Sequence, residues 1–314
     1  MIFKKFDFTR DHDRCIRFLT ECYRENGNIT CWLPQRFDDF FFRIGSMERH
    51  KQAVDSIFVC EEKDQIVGLI LPDDNAMNTC IKKGHEHIFP EMVAFAERNL
   101  APLLKTDENG AGDFFVVSHD SLTYQADFLQ KRGYTKQVAQ DYDNVFHPLT
   151  QQYQLEFPKG FRLSYGEDLD ETMKAEACHY GFHPENDDGI LTHRIGDIIP
   201  SFQARKKSHY FKDSFESLIT TDNGDICSYS FCYVDKDTQT GFVEPVSTRE
   251  KYRHKGLCKL MILGIMVRLK EMEIPNAYIN SYDWRRKVYN ACGFKTEDSI
   301  GYWCKKIQIG RAHV

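Results

Sequence analysis

The second half of the chain repeats the order of predicted elements of the first half, and this repeat limits the folds that the chain can adopt. Residues 1–147 predict a strand, two helices, a hairpin, a further helix, a strand, a short helix and a closing pair of strands. Residues 161–308 predict the same series. Each hairpin has turn residues between two apolar runs, KD at 63–64 and NG at 223–224. Strands that alternate with helices predict an α/β (α+β) protein with two domains, each a mixed sheet flanked by helices.

A change in composition near the middle of the chain marks the boundary between the two predicted domains. The segment 148–160 combines polar residues with two prolines and a glycine, which is typical of a linker. We therefore assign residues 1–150 to a first domain and residues 151–308 to a second, and call them the first and second halves. Residues 309–314 read IGRAHV and resemble the translation of a common sequencing-adapter oligonucleotide, so we interpret them as a non-native tail.

Composition and charge exclude several classes of function. The 314 residues carry a formal net charge of −6, whereas nucleic-acid-binding proteins usually present a basic surface, so no nucleic-acid partner is expected. No apolar run is long enough to span a membrane, and the N-terminus lacks the pattern of a secretory signal. We therefore expect no membrane partner and predict a cytoplasmic location. The 11 cysteines are scattered without a Cys-x-x-Cys pair, which favours reduced thiols over a disulfide framework.

Two pairs of histidines are the best candidates for metal ligands. His85 and His87 lie in one turn, and His179 and His183 are four positions apart at the end of a predicted helix. Pro184 disfavours helical geometry at His183, and no cluster of cysteines or carboxylates accompanies either pair. The sequence therefore predicts no metal site.

A basic stretch at residues 252–259, YRHKGLCK, lies between a predicted strand and a long apolar helix. The first N–H groups of a helix have no partner within it and its dipole favours negative charge, so such a junction suits a pyrophosphate. Gly256 permits close approach of the backbone, and Arg253 and Lys255 add positive charge. A solvated turn is the alternative interpretation. The sequence contains neither a P-loop nor a dinucleotide-binding fingerprint.

Two motifs in the second half resemble those of the GNAT acetyltransferase superfamily. The signature Arg/Gln-x-x-Gly-x-Gly/Ala of its acetyl-CoA site matches residues 253–258, except that Cys258 replaces glycine or alanine. Residues 288–294, VYNACGF, resemble the later motif in which a tyrosine on a short helix precedes Gly-Phe. The element order of both halves is similar to that of the superfamily, so the chain resembles a tandem GNAT protein.

The resemblance implies that the second half binds acetyl-CoA as the acyl donor. Pro245 lies inside a predicted strand, where it indicates a bulge or an edge, and the resemblance implies that the strand splays there from its neighbour. The splayed strands would hold the pantetheine arm through Val246, Ser247 and Thr248 on one side and Asn280 on the other. The pyrophosphate would lie on the segment made of Arg253, His254, Lys255, Gly256, Leu257, Cys258 and Lys259.

Transfer of an acetyl group to an amine requires a base for the amine, donors for the developing oxyanion and an acid for the departing thiolate. The resemblance assigns the acid to Tyr289 and the base to Glu244. Asp283, just beyond the next predicted strand, is an alternative base. An ordinary core position for Tyr289 and an outward-facing strand position for Glu244 are the competing interpretations.

The first half retains the framework but lacks the residues that the resemblance associates with catalysis. At the position of the basic stretch it reads CIKKGHEHIF, in which Gly84 is retained and Ile81 replaces the arginine. Leu129 occupies the position of Tyr289. We therefore expect a scaffold that covers the sheet edge of the second half and shapes the acceptor pocket.

These observations predict an acetyl-CoA-dependent N-acetyltransferase that transfers the acetyl group directly to an amine, without a covalent enzyme intermediate. The acceptor is expected to be a small molecule, such as a simple amine or an aminoglycoside-like polyamine, or a peptide. A non-catalytic acyl-CoA-binding or regulatory module is the alternative, and a protein acetyltransferase is a third hypothesis. The acidic segment 183–188, HPENDD, is either a wall of a cation-accepting pocket or a solvated loop.

Overall fold

The computed structural model describes residues 1–73, 76–101, 104–184 and 193–308. The strands within them are β1 (Ile2–Lys5), β2 (Phe58–Glu62), β3 (Gln65–Asp73), β4 (Ala76–Ile81), β5 (Ala111–His119), β6 (Thr135–Phe146), β7 (Phe161–Tyr165), β8 (Glu216–Thr221), β9 (Ile226–Asp235), β10 (Thr240–Thr248), β11 (Asn276–Tyr282) and β12 (Lys295–Gln308). They form one continuous mixed sheet in the order β1-β2-β3-β4-β5-β12-β6-β11-β10-β9-β8-β7.

The helices of the described residues cover both faces of this sheet. They are α1 (Phe8–Asn26), α2 (Pro34–Phe42), α3 (Lys51–Val54), α4 (Phe89–Asn99), α5 (Thr123–Lys131), α6 (Glu171–Phe182), α7 (His193–Ala204), α8 (Leu257–Glu271) and α9 (Asp283–Cys292). Apolar side chains of α4, α5, α8 and α9 form the core on one face, and those of α1, α2, α6 and α7 form the core on the other. No helix of the described residues combines the length and the apolarity that crossing a membrane requires.

Both predicted hairpins form, and local backbone preferences explain why. The first joins β2 to β3, with Lys63 and Asp64 at positive φ angles of 49° and 64°, as a two-residue turn between right-twisted strands requires. The second joins β8 to β9 through Gly224, whose φ is 90°. Helix boundaries follow the same kind of local signal. The Asp7 carboxylate caps the first turn of α1, which ends at Gly27 with a φ of 73°.

The two halves exchange their last strands. β12 of the second half lies between β5 and β6 of the first half and pairs antiparallel with both. β6 in turn lies between β12 and β11, and its residues 141–146 pair with residues 277–282. The prediction of a closing pair of strands in each half is therefore wrong, because each half contributes one long strand, of 12 residues in β6 and 14 in β12. As expected of the first half, β6 covers the edge of β11.

β10 and β11 begin as parallel neighbours and then part. They pair only over residues 240–242 and 276–278. Beyond this point the register with β9 shifts between Val243 and Val246, so the bulge predicted at Pro245 is confirmed. In the first half, β4 and β5 pair over two positions only. Each half therefore opens a cleft between two parallel strands.

Candidate active site

The N-terminus of α8 and the turn before it form a cradle of backbone N–H groups, residues 254–259. His254 and Gly256 have positive φ angles of 63° and 77°, and a backbone of this kind turns successive N–H groups toward one side, as in anion-binding nests. No described residue accepts a backbone hydrogen bond from the N–H groups of the cradle. The positive end of the α8 dipole lies at Leu257. The cradle therefore suits a phosphate or a pyrophosphate, and Gly256 leaves open space beside its Cα atom for one.

The guanidinium of Arg253 is held by carbonyl groups of the protein. It donates to the carbonyls of Thr248 and Gly181 at 3.1 and 2.9 Å. These bonds tie the end of β10 to the end of α6. This charge was expected to face a phosphate, whereas in the structure the side chain braces two backbone segments. The Lys255 ammonium lies 5.4 Å from the ring centroid of Phe161, at the edge of the cradle.

Gly181 lets α6 approach the splayed segment of β10. A Cβ atom at this position would lie 2.5 Å from Cβ of Ser247 and 3.0 Å from the backbone N of Thr248, which close-packed atoms do not tolerate. Ser247 is buried and donates to the carbonyl of Tyr229, whereas Val246 and Thr248 are half-buried. The contact fixes the segment that was predicted to bind pantetheine. The sequence gives no signal for this contact, because a glycine near a helix end usually marks only that end.

Cys258, the residue that departs from the motif, packs against the core beneath α8. Burial raises the pKa of its thiol to about 11, against an opposing contact with Thr248. Burial also raises the pKa of Cys292 to about 12. Both thiols therefore carry a proton at neutral pH, and neither is an activated nucleophile.

Tyr289 lies on α9, which packs against α8. Its side chain is 5% exposed and belongs to the same core as Cys258. Burial raises the pKa of its hydroxyl above the ordinary value, and the nearby Cys258 and Glu244 act in the same direction. The hydroxyl therefore keeps its proton at neutral pH, as a general acid must before it reacts.

Glu244, the candidate base, lies beside a cation from the first half. Its side chain is 44% exposed at the β10 bulge, and one carboxylate oxygen lies 3.9 Å from Nη2 of Arg43. Arg43 is itself fixed by two bonds of 2.6 Å to Asp39. Arg43 therefore places a fixed positive charge beside the candidate base. No spacing within the second half points to Arg43, which is far from Glu244 along the chain.

Asn280 on β11 is held by polar groups of the first half. Its side-chain oxygen accepts from Nη1 of Arg36 at 2.9 Å, and its side-chain nitrogen donates to Asp143. The amide that was predicted to bind the pantetheine arm is therefore bonded to protein groups at both of its polar atoms. Arg36 and Asp143 belong to α2 and β6, so no pattern within the second half points to them.

A large cavity, the central trough, lies between the halves on the sheet face that carries α1 and α2. Its volume is about 900 Å³. Strands β5, β12, β6 and β11 form its floor, and residues between 29 and 36 and residues 282–284 form its walls. It reaches Phe242 and Asn280, where β10 and β11 part. Glu244 lies two residues beyond Phe242 on β10, and Asp283, the alternative base, is among the residues that line the trough.

Three ionisable side chains meet at the floor of the central trough. Nδ1 of His119 lies 3.2 Å from a carboxylate oxygen of Asp143 and 3.5 Å from one of Asp298. Burial alone would lower the pKa of His119, but the two carboxylates outweigh it and the pKa is raised. Burial raises the pKa of Asp143 to about 6, against the opposing effect of His119. The pKa values of His119 and Asp143 are therefore both raised, whereas hydrogen bonds from His119 and Ser121 outweigh burial and lower that of Asp298.

The corresponding turn of the first half carries its own anion. Gly84 has a φ of 85°, like Gly256, but its N–H donates to a carboxylate oxygen of Glu86 at 2.9 Å. Hydrogen bonds from the backbone N–H groups of Gly84 and Glu86 lower the pKa of that carboxyl. A carboxylate therefore lies where a phosphate would bind, which is a physical reason for the lack of catalysis expected of the first half.

One group of carboxylates among the described residues has the spacing of a metal site, namely Glu171, Asp213 and Glu216. Nζ of Lys174 lies 3.0, 3.6 and 2.6 Å from these three carboxylates, in that order. The ammonium supplies the positive charge that a metal ion would, and Arg205 supplies a second. The group is therefore a buried ion network of the protein itself.

Comparison with known proteins identifies the fold. No family model matches the sequence, and no curated protein sequence matches it. A tandem GNAT protein from the clavulanic acid biosynthesis pathway matches the structure with a TM-score of 0.68 and 12% identity, over 99% of each chain. The chain has the tandem GNAT fold. A GCN5-related N-acetyltransferase from Sphaerobacter thermophilus shares it, with a TM-score of 0.65 and 13% identity over 98% of this chain and 96% of that one. An acetyltransferase of the GNAT family from Colwellia psychrerythraea matches with a TM-score of 0.59 and 12% identity, over 97% and 99%.

At such low identity, the likeness extends to the tandem GNAT fold and not to the roles of individual residues. Those roles depend on geometry, which brings Thr248 and Tyr289 close to Cys258 at the start of α8. Two segments named above lie outside the described residues, namely 185–188 of the acidic segment and 309–314.

Proposed function

We propose that the protein is an acetyl-CoA-dependent N-acetyltransferase whose active site lies in the second half. The cradle would bind the pyrophosphate of acetyl-CoA, and the cleft between β10 and β11 would take the pantetheine arm. The acceptor amine would reach the thioester from the central trough. The tandem GNAT fold favours this function by analogy alone, and the site supplies the physical argument.

The difference between the two cradles carries the proposal. In the first half, the Glu86 carboxylate accepts from the N–H of Gly84. In the second half, no described residue accepts a backbone hydrogen bond from the N–H groups of residues 254–259, and the neighbouring strands are splayed. Unpaired N–H groups at a helix N-terminus are suited to an anionic group that a ligand supplies.

We assign two proton transfers to this chain, and they accompany the direct displacement of the CoA thiol by the amine. The amine nitrogen attacks the thioester carbonyl carbon, so that a C–N bond forms and the C–S bond breaks. Glu244, which lies beside Arg43, takes the proton that the amine loses, and Tyr289 gives a proton to the departing sulfur. Cys258 and Cys292 keep their protons, which supports direct transfer over a covalent intermediate on either thiol.

Gly256→Ala tests the cradle, and Gly84→Ala is its matched control. Both glycines have positive φ angles and no atom within 4 Å of an added Cβ, so each substitution costs about 1 kcal/mol of stability from backbone strain alone. We expect G256A to weaken acetyl-CoA binding, measured by isothermal titration calorimetry, by about tenfold or more. G84A should leave the dissociation constant unchanged. Equal dissociation constants for the two variants would contradict the proposed cradle.

Release of the CoA thiol distinguishes an enzyme from a binding module. A transferase releases the thiol faster when a suitable amine is added, whereas a non-catalytic acyl-CoA-binding module binds the thioester without such an effect. Tight binding of acetyl-CoA, with the rate of thiol release independent of every amine in a broad panel, would favour the module.

A further inference from the structure

We propose that the acceptor is a small amine with one cationic group and a planar aromatic body, and that the central trough recognises this body. The inference rests on the proposed function, because it assigns the acceptor of the same active site. It selects one class among those that the sequence leaves open, which are simple amines, polyamines and peptides.

Aromatic side chains line the central trough along its whole length, from the floor to the end nearest the cleft. Of the 24 described residues that line it, seven are phenylalanine, tyrosine or tryptophan, including Phe115 on the floor and Phe242 at the end nearest the cleft. Aromatic rings bind planar groups by stacking, and polar groups among them fix the orientation of a small molecule. The volume of about 900 Å³ is that of a site for a single drug-sized molecule.

Two exposed aromatic rings lie at the mouth of the central trough. Tyr282 and Trp284 are 55% and 71% exposed, and their ring planes are 2° from parallel with centroids 6.4 Å apart. The Arg285 guanidinium, 4.3 Å from the Trp284 centroid, steadies one of these rings. Aromatic rings that are exposed beside a cavity are available to stack with a planar ligand. The two rings therefore offer a stacking surface to a planar group that enters the trough.

The carboxylates of the central trough are already used by the protein. Asp143 accepts a hydrogen bond from the side-chain amide of Asn280 on β11. Asp141 accepts one from the hydroxyl of Tyr302 at 2.5 Å. Asp283 is at the mouth, 3.8 Å from Arg286. A polyamine would need a carboxylate for each ammonium group that it buries. The trough therefore favours an acceptor whose only cationic group is the amine that reacts.

Titration of matched amines tests the acceptor class independently of turnover. We would titrate 2-(1-naphthyl)ethylamine, 2-cyclohexylethylamine, kanamycin and a neutral tetrapeptide with a free N-terminus into the full chain saturated with CoA. By calorimetry, we expect the naphthyl amine to bind about tenfold more tightly than the cyclohexyl amine, because only its ring can stack. Kanamycin and the peptide should bind more weakly than either. Tighter binding of kanamycin or of the peptide would overturn the assignment.

Trp284→Ala locates the recognised group, and Val288→Ala is its matched control. Both side chains are exposed on α9, at 71% and 46%, but only Trp284 is among the described residues that line the central trough. We expect W284A to weaken binding of the naphthyl amine about three- to tenfold and to affect the cyclohexyl amine less. V288A should change neither dissociation constant, and thermal unfolding checks that both variants are folded. If W284A and wild type bind the naphthyl amine with the same dissociation constant, the proposed stacking surface is wrong.

The outcomes separate this inference from the proposed function. Amine-dependent thiol release that is fastest with kanamycin or the peptide would keep the transferase and overturn the aromatic acceptor. Binding of the naphthyl amine without any thiol release would keep the ligand preference of the trough and overturn the transferase. No binding of the naphthyl amine would overturn the inference whatever the rate of release.

Discussion

Tyr289 and Leu129 hold equivalent positions in the two halves, and the difference between them is chemical rather than steric. Both side chains are buried in the core of their own half, at 5% and 0% exposure. Either residue can fill the space beneath the helices, but only the tyrosine brings a proton, and burial keeps that proton in place. The contrast favours an active second half and a first half retained for its shape.

Tyr289→Phe should lower kcat by about 10²-fold and leave acetyl-CoA affinity unchanged, because it removes the proposed acid and keeps the ring. Steady-state thiol release and calorimetry measure the two quantities. Tyr134→Phe is the control, since it removes a hydroxyl that donates to Glu97 at 3.0 Å in the first half, and it should leave kcat unchanged. If kcat of Y289F equals that of wild type, the departing sulfur is protonated by another group or leaves as the thiolate.

The order of elements could be predicted from the sequence, whereas the pairing of the strands could not. Turn residues and helical spacing are local signals, so both hairpins and the start of α8 follow from short stretches of sequence. β6 and β12 each look like two short strands, because polar residues interrupt them, and only their neighbours in the sheet keep them extended. The contacts of Arg36 with Asn280 and of Arg43 with Glu244 join distant parts of the chain. No spacing within one half encodes such contacts.

Four adjacent elements place polar groups around Asp143, so the pKa of its carboxyl depends on how these elements pack together. It faces His119 from β5, Asp298 from β12, Asn280 from β11 and Arg36 from α2. Its pKa is raised to about 6 in the folded protein, compared with about 3.9 in an unfolded chain. The folded state therefore binds this proton more tightly, and the carboxyl contributes more stability as the pH falls through about 6.

Asp143→Asn should reveal this linkage. We expect the free energy of unfolding of wild type minus that of D143N to increase by about 1 kcal/mol from pH 8 to pH 5, measured by urea denaturation at each pH. Asp113→Asn, at an exposed position of β5, is the control and should show no such trend. A difference that does not increase toward pH 5 would contradict the raised pKa of Asp143.

The exchange of β6 and β12 makes the two halves parts of a single sheet. Without β12, the facing edges of β5 and β6 have no partner, and without β6 the same is true of β11 and β12. The segment between the halves is also packed, since Tyr153 and Phe157 contact the core beneath α8. The boundary proposed at residue 150 therefore divides the chain into two sequence repeats but not into two complete sheets.

Residues 1–150 and 151–308, produced separately, should each fail to fold, because each fragment has open strand edges in the middle of its sheet. Far-UV circular dichroism and thermal unfolding measure this, and co-expression of the two fragments should restore one cooperative transition. The control is the intact chain cleaved at a protease site introduced between residues 154 and 155, which loses no strand and should remain folded. A fragment 1–150 that unfolds cooperatively by itself would show that β12 is dispensable for the first half.

The position of β12 also has a consequence during synthesis. β5 and β6 leave the ribosome long before residues 295–308, the strand that fills the gap between them. At about 5–20 residues per second, the gap stays open for roughly ten to thirty seconds. Throughout that interval the nascent first half exposes two unpaired strand edges at the centre of its future sheet. A chaperone that covers open strand edges would bind the nascent chain during this interval. It would no longer be needed once residues 295–308 have left the ribosome and paired as β12.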